Sequence, residues 1–320
     1  MTNQAIRVYF LGTGDIAIPI LQELISSERI NLVGIGTQPD RPKGRKRILS
    51  PSPVGAFAES ANIKIDKPKS AGDIDYLKTL EDLKPDIILV CSYGQILKQE
   101  LLDIPKIDCI NIHTSLLPKY RGASPIQTAI LNGDKGTGVT IMRIVKALDA
   151  GPMFANYRIS IGESDNARVL ESNLGILAAK KIVKILSKIT NGDLEAIPQD
   201  CNIAEYAHKI SKSDGKVLWH ESAESLERKS RAYYPWPSLY FNLKIGKRTY
   251  KIQIIECSVV ENADSAKAGT ILCADKNGWV IACGQNALKL DKIKPSGKHK
   301  MKGSEFLLGH PLEEGLNIVI

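Results

Sequence analysis

The first half of the chain alternates short, almost continuous apolar runs with segments of helical periodicity. The apolar runs predict five strands: IRVYFLG, NLVGIGT, DIILVCSY, CINIH and GVTIMRIV. Such runs are typical of parallel strands covered by helices on both faces, whereas half-exposed strands alternate apolar and polar residues. Helical segments between them, including DIAIPILQELIS and GDIDYLKTLEDL, supply that cover. The alternation therefore predicts an α/β domain with a doubly wound parallel sheet.

The pattern changes after a long amphipathic segment. Residues 191–208 contain turn residues and little periodicity, which is typical of a linker. One helical segment follows and ends at Pro235 and Pro237. Five short alternating runs come next: LYFNLKI, TYKIQIIECSVV, AGTILCA, GWVIACG and ALKLDKIK. Because short strands joined by Gly and Asn turns predict a small β-barrel, we expect domains at 1–190 and 209–320.

Composition excludes several classes of protein. Of the 320 residues, 43% are hydrophobic, which is enough for packed cores and too many for a disordered chain. No apolar run approaches the roughly 20 residues of a membrane span. The first strand begins a few residues after Met1, so we expect a cytoplasmic protein with no membrane partner. The six cysteines form no C-x-x-C pair, which favours reduced core cysteines and no bound metal.

The net charge of +8 is unevenly distributed. Residues 1–210 hold 26 basic and 23 acidic side chains, a balance of +3, whereas residues 211–320 hold 17 and 12, a balance of +5. The shorter part is the more basic, which suits a polyanionic partner, nucleic acid above all. A basic surface that only favours solubility is the alternative.

One stretch, from Gln38 to Pro53, concentrates basic residues among prolines and a glycine. Its basic members are Arg41, Lys43, Arg45, Lys46 and Arg47. Proline and like-charge repulsion disfavour a helix there, so we expect a mobile loop. Such a loop can follow a phosphate backbone, with a solvated surface loop as the alternative. The GTGD segment at Gly12–Asp15 lacks the third glycine of the dinucleotide fingerprint and predicts only a tight turn.

The strongest chemical signal lies in the run NIHTSLLPKYRGASPIQTAI. Asn111 and His113 alternate along the end of the fourth predicted strand, so their side chains point to one face, where open α/β sheets bind ligands. Asp149 lies in the turn LDAGP, where Asp is also common for backbone reasons. An amide, an imidazole and a carboxylate without an obvious Ser or Cys nucleophile suit a reaction whose nucleophile comes from a substrate. A structural role is the alternative for His113.

This run, followed by GTGVTIMRIVKALDAGP, resembles the folate-dependent formyltransferases. Within that family the chain is similar to the members that act on a tRNA-bound amino acid. Three further segments carry this closer match: QPDRPKGRKRILSPSPV, ISKSDGKVLWHESAESLERKSRAYYPWPSLY and ALKLDKIKPSGKHKMKGSEFLLG. The resemblance covers nearly the whole chain and implies a Rossmann-like catalytic domain and an OB-like tRNA-binding barrel. It implies 10-formyltetrahydrofolate as donor and the methionine amine of initiator tRNA as acceptor. We also expect a monomer.

The resemblance also assigns residues. The family's catalytic positions fall on Asn111, His113 and Asp149. Its folate-binding segment falls on Ser115, Leu116, Leu117 and Pro118. In the expected mechanism the acceptor amine attacks the formyl carbon while Asn111 and His113 donate hydrogen bonds to the formyl oxygen. Asp149 orients His113 or a water and helps to move the amine proton.

Two alternatives remain open. One is a formyltransferase that acts on a small amine, such as an amino sugar or a purine precursor, which would not need the basic loop or the basic C-terminal domain. The other is a non-catalytic RNA-binding protein on a degenerate enzyme fold, which would have lost catalytic residues. Asn111, His113 and Asp149 are all present, which disfavours the second alternative.

Overall fold

The computed structural model describes residues 5–44, 46–262 and 266–318. Its strands are β1 Ile6–Gly12, β2 Ile30–Gly36, β3 Arg41–Lys43, β4 Ile48–Ser50, β5 Ile87–Cys91, β6 Asp108–His113, β7 Arg121–Gly122, β8 Gly136–Arg143, β9 Met153–Ser160, β10 Tyr206–Ala207, β11 Leu239–Ile245, β12 Arg248–Val260, β13 Ile271–Asp275, β14 Gly278–Ala282, β15 Ala287–Pro295 and β16 Met301–Lys302. Its helices are α1 Ala17–Ser26, α2 Pro53–Ser60, α3 Ile74–Leu83, α4 Gln99–Leu102, α5 Pro125–Leu131, α6 Ala167–Thr190, α7 Ala223–Ala232 and α8 Gly303–Gly309. None of the helices in these described ranges is both long and apolar enough to cross a bilayer.

The chain forms two compact units. The first contains the described residues up to Pro125, then Gly136–Ser160 and Leu170–Ala207. The second contains Ile126–Lys135, Ile161–Val169 and the described residues from His208 onward. Two short segments of the predicted domain 1–190 therefore belong to the second unit.

The first unit is built on a six-stranded sheet in the order β2-β1-β5-β6-β8-β9. The first four of these strands are parallel, as predicted. Successive side chains of β1 point to opposite faces, yet Val8, Tyr9, Phe10 and Leu11 are all fully buried. Both faces of the sheet are therefore covered, and the predicted α/β fold class is confirmed.

The far edge of this sheet differs from the predicted wholly parallel sheet. β8 runs antiparallel to β6, and β9, a strand absent from the predicted set, runs antiparallel to β8. From Ala155 to Ser160, β9 alternates partly buried and exposed positions, as an edge strand with one solvated face does, so MFANYRIS lacks a continuous apolar run. The apolar run of β8 indicates burial on both faces and contains no information about strand direction.

The turn-rich stretch 191–208, predicted as a linker, contributes packed elements to the first unit. Its strand β10 pairs in parallel with β7, which joins Tyr206 to Arg121 and Ala207 to Gly122. Gln199 from the same stretch is only 9% exposed. A two-residue strand and a single buried polar side chain produce no periodicity, so the sequence pattern did not indicate this packing.

The basic stretch contains an antiparallel hairpin where the sequence predicted a mobile loop. β3 pairs with β4, from Arg41 opposite Ser50 to Lys43 opposite Ile48, and we call residues 41–50 the basic hairpin. The chain reverses between these strands, with Arg47 in the left-handed region at φ +49°. Arg45 lies outside the described residues. Two three-residue strands are too short to be recognised from alternation, which explains the difference.

Three buried tyrosines, Tyr9, Tyr76 and Tyr93, form part of the core of the first unit, and we call them the tyrosine cluster. The Tyr9 hydroxyl donates a hydrogen bond to Asp66 Oδ2 at 2.6 Å, and Tyr76 donates to the Tyr9 hydroxyl at 3.2 Å. Burial raises the pKa of all three phenols above the usual 10.0, to about 12 for Tyr93. All three phenols are therefore protonated in the folded protein at neutral pH.

The second unit contains an antiparallel sheet in the order β11-β12-β15-β14-β13, with β16 paired to β15. The five strands predicted for a small barrel are all present. Register shifts between Ile254 and Cys257 disrupt the ladder of β12, as bulges that bend a strand do. Trp279 and Phe306 stack in the core with ring centroids 5.6 Å apart. The predicted OB-like fold is confirmed as a curled half-barrel.

Candidate active site

β6 brings the first candidate residue to the C-terminal edge of the parallel strands. Asn111 lies near the end of β6, opposite Val90 of β5 and Met142 of β8. The residue is half-buried, and its side-chain amide makes no hydrogen bond to any other described residue. Because structural amides are normally paired, an unpaired amide at this edge is available to a ligand.

His113 is only 6% exposed and has a partner at each ring nitrogen. Nε2 lies 2.8 Å from the backbone oxygen of Tyr120. A carbonyl oxygen only accepts hydrogen bonds, so Nε2 carries a hydrogen and donates it. Nδ1 lies 3.7 Å from Asp149 Oδ2. In the neutral ring Nδ1 is therefore the unprotonated nitrogen, and it faces the Asp149 carboxylate.

Asp149 lies in the turn between β8 and β9, and we call residues 148–152 the Asp149 turn. Its backbone is in the left-handed region at φ +47°, which Asp tolerates better than most residues. Oδ2 accepts a hydrogen bond from the Gly122 N–H at 2.9 Å, and the side chain is 16% exposed. The fold thus places the predicted carboxylate beside the predicted imidazole.

A fourth polar side chain, which no sequence motif indicated, contacts the Asp149 turn. Gln199 Nε2 donates to the backbone oxygens of Asp149 at 2.8 Å and Gly151 at 2.7 Å. Its Oε1 accepts from Arg121 Nε at 3.0 Å and Nη2 at 2.8 Å. Gln199 lies in a turn-rich stretch and gives no signal of its own. Arg121 gives a weak one, because it lies within the run that contains Asn111.

The segment predicted to bind folate, residues 115–118, is held by hydrogen bonds. Ser115 is fully buried, and its hydroxyl donates to the backbone oxygen of Lys119. Thr140 Oγ1 donates to Ser115 O at 2.7 Å and accepts from Leu117 N at 3.1 Å. The Ser115 and Leu117 side chains are both buried beneath the loop. The partly exposed side chains of the segment are those of Leu116 and Pro118.

A second loop, residues 92–98 after β5, lies where the strand order reverses. The chain passes from β1 to β2 and then returns to place β5 on the other side of β1, and ligands of open α/β sheets bind at such points. Tyr93 O accepts hydrogen bonds from Thr13 Oγ1 at 2.8 Å and Gln38 Nε2 at 2.9 Å. Ile96 is 89% exposed. The sequence did not distinguish this residue, because the apolar run of β5 is followed closely by the apolar residues of the loop.

The chemistry of this edge does not depend on an activated cysteine. Cys91 at the end of β5 is fully buried, and burial raises the pKa of its thiol to about 12. Such a thiol stays protonated and unreactive at neutral pH. Within the part of the chain that the structure describes, no three His, Cys, Asp or Glu side chains lie where they could share a metal ion.

The predicted tRNA-binding side chains of the basic hairpin are in two different states. Arg41 Nη2 donates a hydrogen bond to Gln38 Oε1 at 2.6 Å, and Lys43 Nζ donates one to Pro51 O at 2.8 Å. The Lys46 and Arg47 side chains are exposed and bond to no other residue in the described ranges. The second pair lies between the two strands of the hairpin, where a polyanion can reach both charges.

One face of the second unit combines lysines with aromatic rings. Tyr240 of β11 lies opposite Gln253 of β12, and Gln253 lies opposite Lys294 of β15. Lys251 Nζ lies 3.4 Å from the centroid of the Tyr240 ring, and burial lowers the pKa of this lysine. Lysines interspersed with aromatic rings on an open sheet are typical of nucleic-acid-binding surfaces.

The fold places an amide, an imidazole and a carboxylate at the ligand-binding edge of an α/β sheet, an arrangement that suits a group-transfer enzyme. The chain belongs to the formyl transferase family. The family model described as "Formyl transferase" matches residues 6–186, and the model described as "Formyl transferase, C-terminal domain" matches residues 209–311. The resemblance deduced from the sequence is confirmed.

Curated relatives extend this match over almost the whole chain. The methionyl-tRNA formyltransferase of Bacillus velezensis is 38% identical over 97% of this chain and 96% of its own length. That of Kosmotoga olearia is 37% identical over 98% of this chain and 99% of its own.

Solved structures share the fold at lower identity. An N-formyltransferase from Helicobacter canadensis, in complex with folinic acid and dTDP-3-aminofucose, has a TM-score of 0.64 at 20% identity and covers 89% of this chain and 99% of its own. HypX from Aquifex aeolicus, in complex with tetrahydrofolic acid, has a TM-score of 0.63 at 16% identity over 95% of this chain and 47% of its own.

Proposed function

We propose that this chain transfers the formyl group of 10-formyltetrahydrofolate to the amino group of methionyl-initiator-tRNA. The observation that carries the proposal is the match, at 37–38% identity through both units, to relatives named methionyl-tRNA formyltransferase. A match confined to the first unit would fit formyl transfer to any amine. This match extends through the basic second unit, which a small acceptor does not require.

Asn111 supplies the hydrogen bond to the formyl oxygen. Attack by the amine on the formyl carbon places negative charge on that oxygen, and a preorganised donor stabilises it. The Asn111 amide is unpaired among the described residues and lies at the ligand-binding edge. The N–H of His113 is engaged by Tyr120 O, so in this arrangement the role first expected of both residues falls to Asn111.

His113 and Asp149 transfer the proton from the acceptor amine to the folate. The amine nitrogen loses one proton when its bond to the formyl carbon forms, and N10 of the folate gains one when its own bond to that carbon breaks. Nδ1 of His113 accepts the proton, and the Asp149 carboxylate, 3.7 Å away, stabilises the imidazolium. The proton then passes to N10, so the reaction balances without a covalent enzyme intermediate.

The folate donor binds at the edge between the loop 92–98 and the segment 115–118. Each loop follows one of two adjacent parallel strands, β5 and β6. Ile96, Leu116 and Pro118 offer exposed or partly exposed apolar surface there, as a planar ligand requires. The hydrogen-bonded backbone of 115–118 keeps that surface in place before the ligand arrives.

The tRNA is recognised by two basic surfaces. One is the basic hairpin, where Lys46 and Arg47 are free to neutralise phosphates. The other is the face of the second unit that carries Lys251, Tyr240 and Lys294. We expect the enzyme to act as a monomer of 35.1 kDa, which light scattering checks.

A formyltransferase that acts on a small amine is the second candidate. The fold likeness to an N-formyltransferase crystallised with an amino-sugar nucleotide motivates it, although 20% identity indicates the fold alone. A small acceptor needs neither the basic hairpin nor the lysine and tyrosine face of the second unit. These two surfaces favour the tRNA acceptor.

The deciding experiment supplies a radiolabelled 10-formyl donor and four acceptors: charged initiator methionine tRNA, charged elongator methionine tRNA, free methionine and an amino-sugar nucleotide. We expect rapid formylation of the charged initiator tRNA and slow or no formylation of the others. Formylation of the amino sugar alone would overturn the proposal that charged tRNA is the acceptor. Formylation of no acceptor would overturn the activity itself.

A further inference from the structure

We propose that Gln199, braced by Arg121, positions Asp149 for catalysis. The proposal rests on the proposed function, since it concerns the carboxylate assigned there to the proton transfer. Gln199 and Arg121 touch no substrate in this scheme and act only through the protein. They are positioning residues.

The first argument is the saturation of the Gln199 amide. Its NH₂ group donates to two backbone oxygens of the Asp149 turn, at 2.8 and 2.7 Å, and its oxygen accepts two hydrogen bonds from Arg121, at 3.0 and 2.8 Å. One nitrogen, Gln199 Nε2, therefore holds the backbone of the Asp149 turn at two positions, Asp149 and Gly151. Residue 199 is distant in sequence from this turn, so the tie fixes the turn relative to another part of the first unit.

The second argument is the burial of the Arg121 guanidinium. Arg121 is 3% exposed, and its Nε and Nη2 groups both converge on Gln199 Oε1. Nη2 also lies 3.8 Å from Cys201 Sγ. A buried cation that donates to an amide oxygen polarises the amide, which strengthens the two hydrogen bonds donated by its NH₂ group. The backbone of Arg121 is held as well, through the pairing of β7 with β10.

The third argument is that the Asp149 turn needs an external restraint. Asp149 has φ +47°, a region where a residue with a side chain persists only when its surroundings impose it. Its carboxylate has to satisfy Gly122 N–H at 2.9 Å and remain beside His113 Nδ1. Loss of the Gln199 hydrogen bonds leaves two turn carbonyls unpaired and frees the turn. A displacement of about 1 Å in a catalytic group can cost about 100-fold in rate.

The test is a double-mutant cycle that combines Gln199→Ala with Asp149→Asn. Asn tolerates the left-handed region and keeps an oxygen for the Gly122 N–H, so Asp149→Asn removes the charge with little change in the turn. In the wild-type background we expect Gln199→Ala to lower the single-turnover rate by about 10- to 100-fold, with the tRNA dissociation constant unchanged. In the Asp149→Asn background the same change should cost less than about 3-fold, because the positioned charge is already absent.

Two further variants exclude a merely structural explanation. Arg7→Ala is the matched control, since Arg7 donates to two backbone oxygens, Leu83 O at 2.6 Å and Lys84 O at 3.1 Å, from the start of β1. It should lower the melting temperature and leave the single-turnover rate unchanged. Gln199→Glu keeps an acceptor for Arg121 but loses both donated hydrogen bonds, so it should lose at least as much rate as Gln199→Ala.

The outcomes separate this inference from the proposed function. A wild-type protein that formylates no tRNA overturns the proposed function and, with it, the positioning role that rests on that function. An active wild type with equal costs of Gln199→Ala in both backgrounds overturns the positioning role alone, as does full activity of Gln199→Glu. If Gln199→Ala does not fold, Arg121→Lys, which weakens the forked contact to Gln199 Oε1, replaces it in the same cycle under the same criteria.

Discussion

Replacing Asn111 with Ala should separate catalysis from stability. The Asn111 amide is half-buried and bonds to no other described residue, so truncation leaves no partner unsatisfied. A substitution of that kind normally changes the free energy of unfolding by no more than about 0.5 kcal/mol. Loss of one donor to a developing oxyanion costs about 10²–10³ in rate, or roughly 2.7–4 kcal/mol of transition-state stabilisation. The rate should therefore fall steeply while the melting temperature hardly moves.

His113→Ala provides the contrast. The imidazole is 6% exposed and donates to Tyr120 O at 2.8 Å, so its removal takes away a buried hydrogen bond, at a cost of about 0.5–1.5 kcal/mol, and also leaves a cavity. This variant should lose both activity and stability. Asn111→Asp, which keeps the shape of the side chain but replaces a donor with a negative charge, should lose more rate than Asn111→Ala.

Single-turnover formylation of charged initiator tRNA, at saturating enzyme and folate donor, isolates the chemical step. Scanning calorimetry and tRNA filter binding on the same samples measure stability and affinity. A rate for Asn111→Ala within a few-fold of wild type would refute the assignment of the oxyanion donor. A fall in melting temperature as large as that of His113→Ala would show that the amide has a structural partner instead.

Other perturbations test other parts of the molecule. Lys46→Ala combined with Arg47→Ala should lower the salt slope of tRNA binding by about 0.7–0.9 for each phosphate that the variant no longer neutralises, measured by filter binding; an unchanged slope would leave the basic hairpin a solvated surface. Gly151→Ala should abolish activity, because an added Cβ would overlap the backbone oxygen of Arg143; a normal formylation rate would contradict the role of the Asp149 turn. The tyrosine cluster contributes fully to the free energy of unfolding below pH 10.0, the usual phenol pKa. This contribution, followed by circular dichroism, should fall as pH rises, because the unfolded chain releases phenolic protons that the folded tyrosine cluster retains. The fall should be up to about 1.4 kcal/mol per pH unit for each tyrosine, and Tyr93→Phe should reduce it between pH 10 and its folded pKa of about 12; an unchanged slope in that variant would contradict the shifted pKa.

The parallel half of the first sheet was predictable because burial on both faces leaves a direct trace in the sequence. A strand such as β5, with every residue buried, has to be apolar throughout. The antiparallel half was not predictable in the same way. One face of β9 is exposed to solvent, so this strand has no continuous apolar run. The direction of β8 depends on how the chain returns across the sheet, and no local sequence pattern indicates that direction.

The candidate side chains could also be chosen from the sequence, but their hydrogen bonding could not. Asn111, His113 and Asp149 carry side chains whose chemistry suggests catalysis, and the structure places the imidazole and the carboxylate together. The partner that decides which nitrogen of His113 holds the hydrogen is Tyr120 O. Every residue has such a backbone oxygen, so the sequence cannot indicate which one becomes the acceptor. The proposed division of roles between Asn111 and His113 therefore rests on the fold and not on the sequence.

The two amides at this site differ in their hydrogen bonding, and the functions proposed for them rest on that difference. A polar side chain in a packed region has to satisfy its donors and acceptors somewhere, either within the protein or with a ligand. Gln199 satisfies all of them within the protein, through Arg121 and the Asp149 turn. Asn111 satisfies none of them within the described residues and lies at the edge where ligands of this fold bind. We therefore propose that the first amide acts on the protein and that the second acts on the substrate.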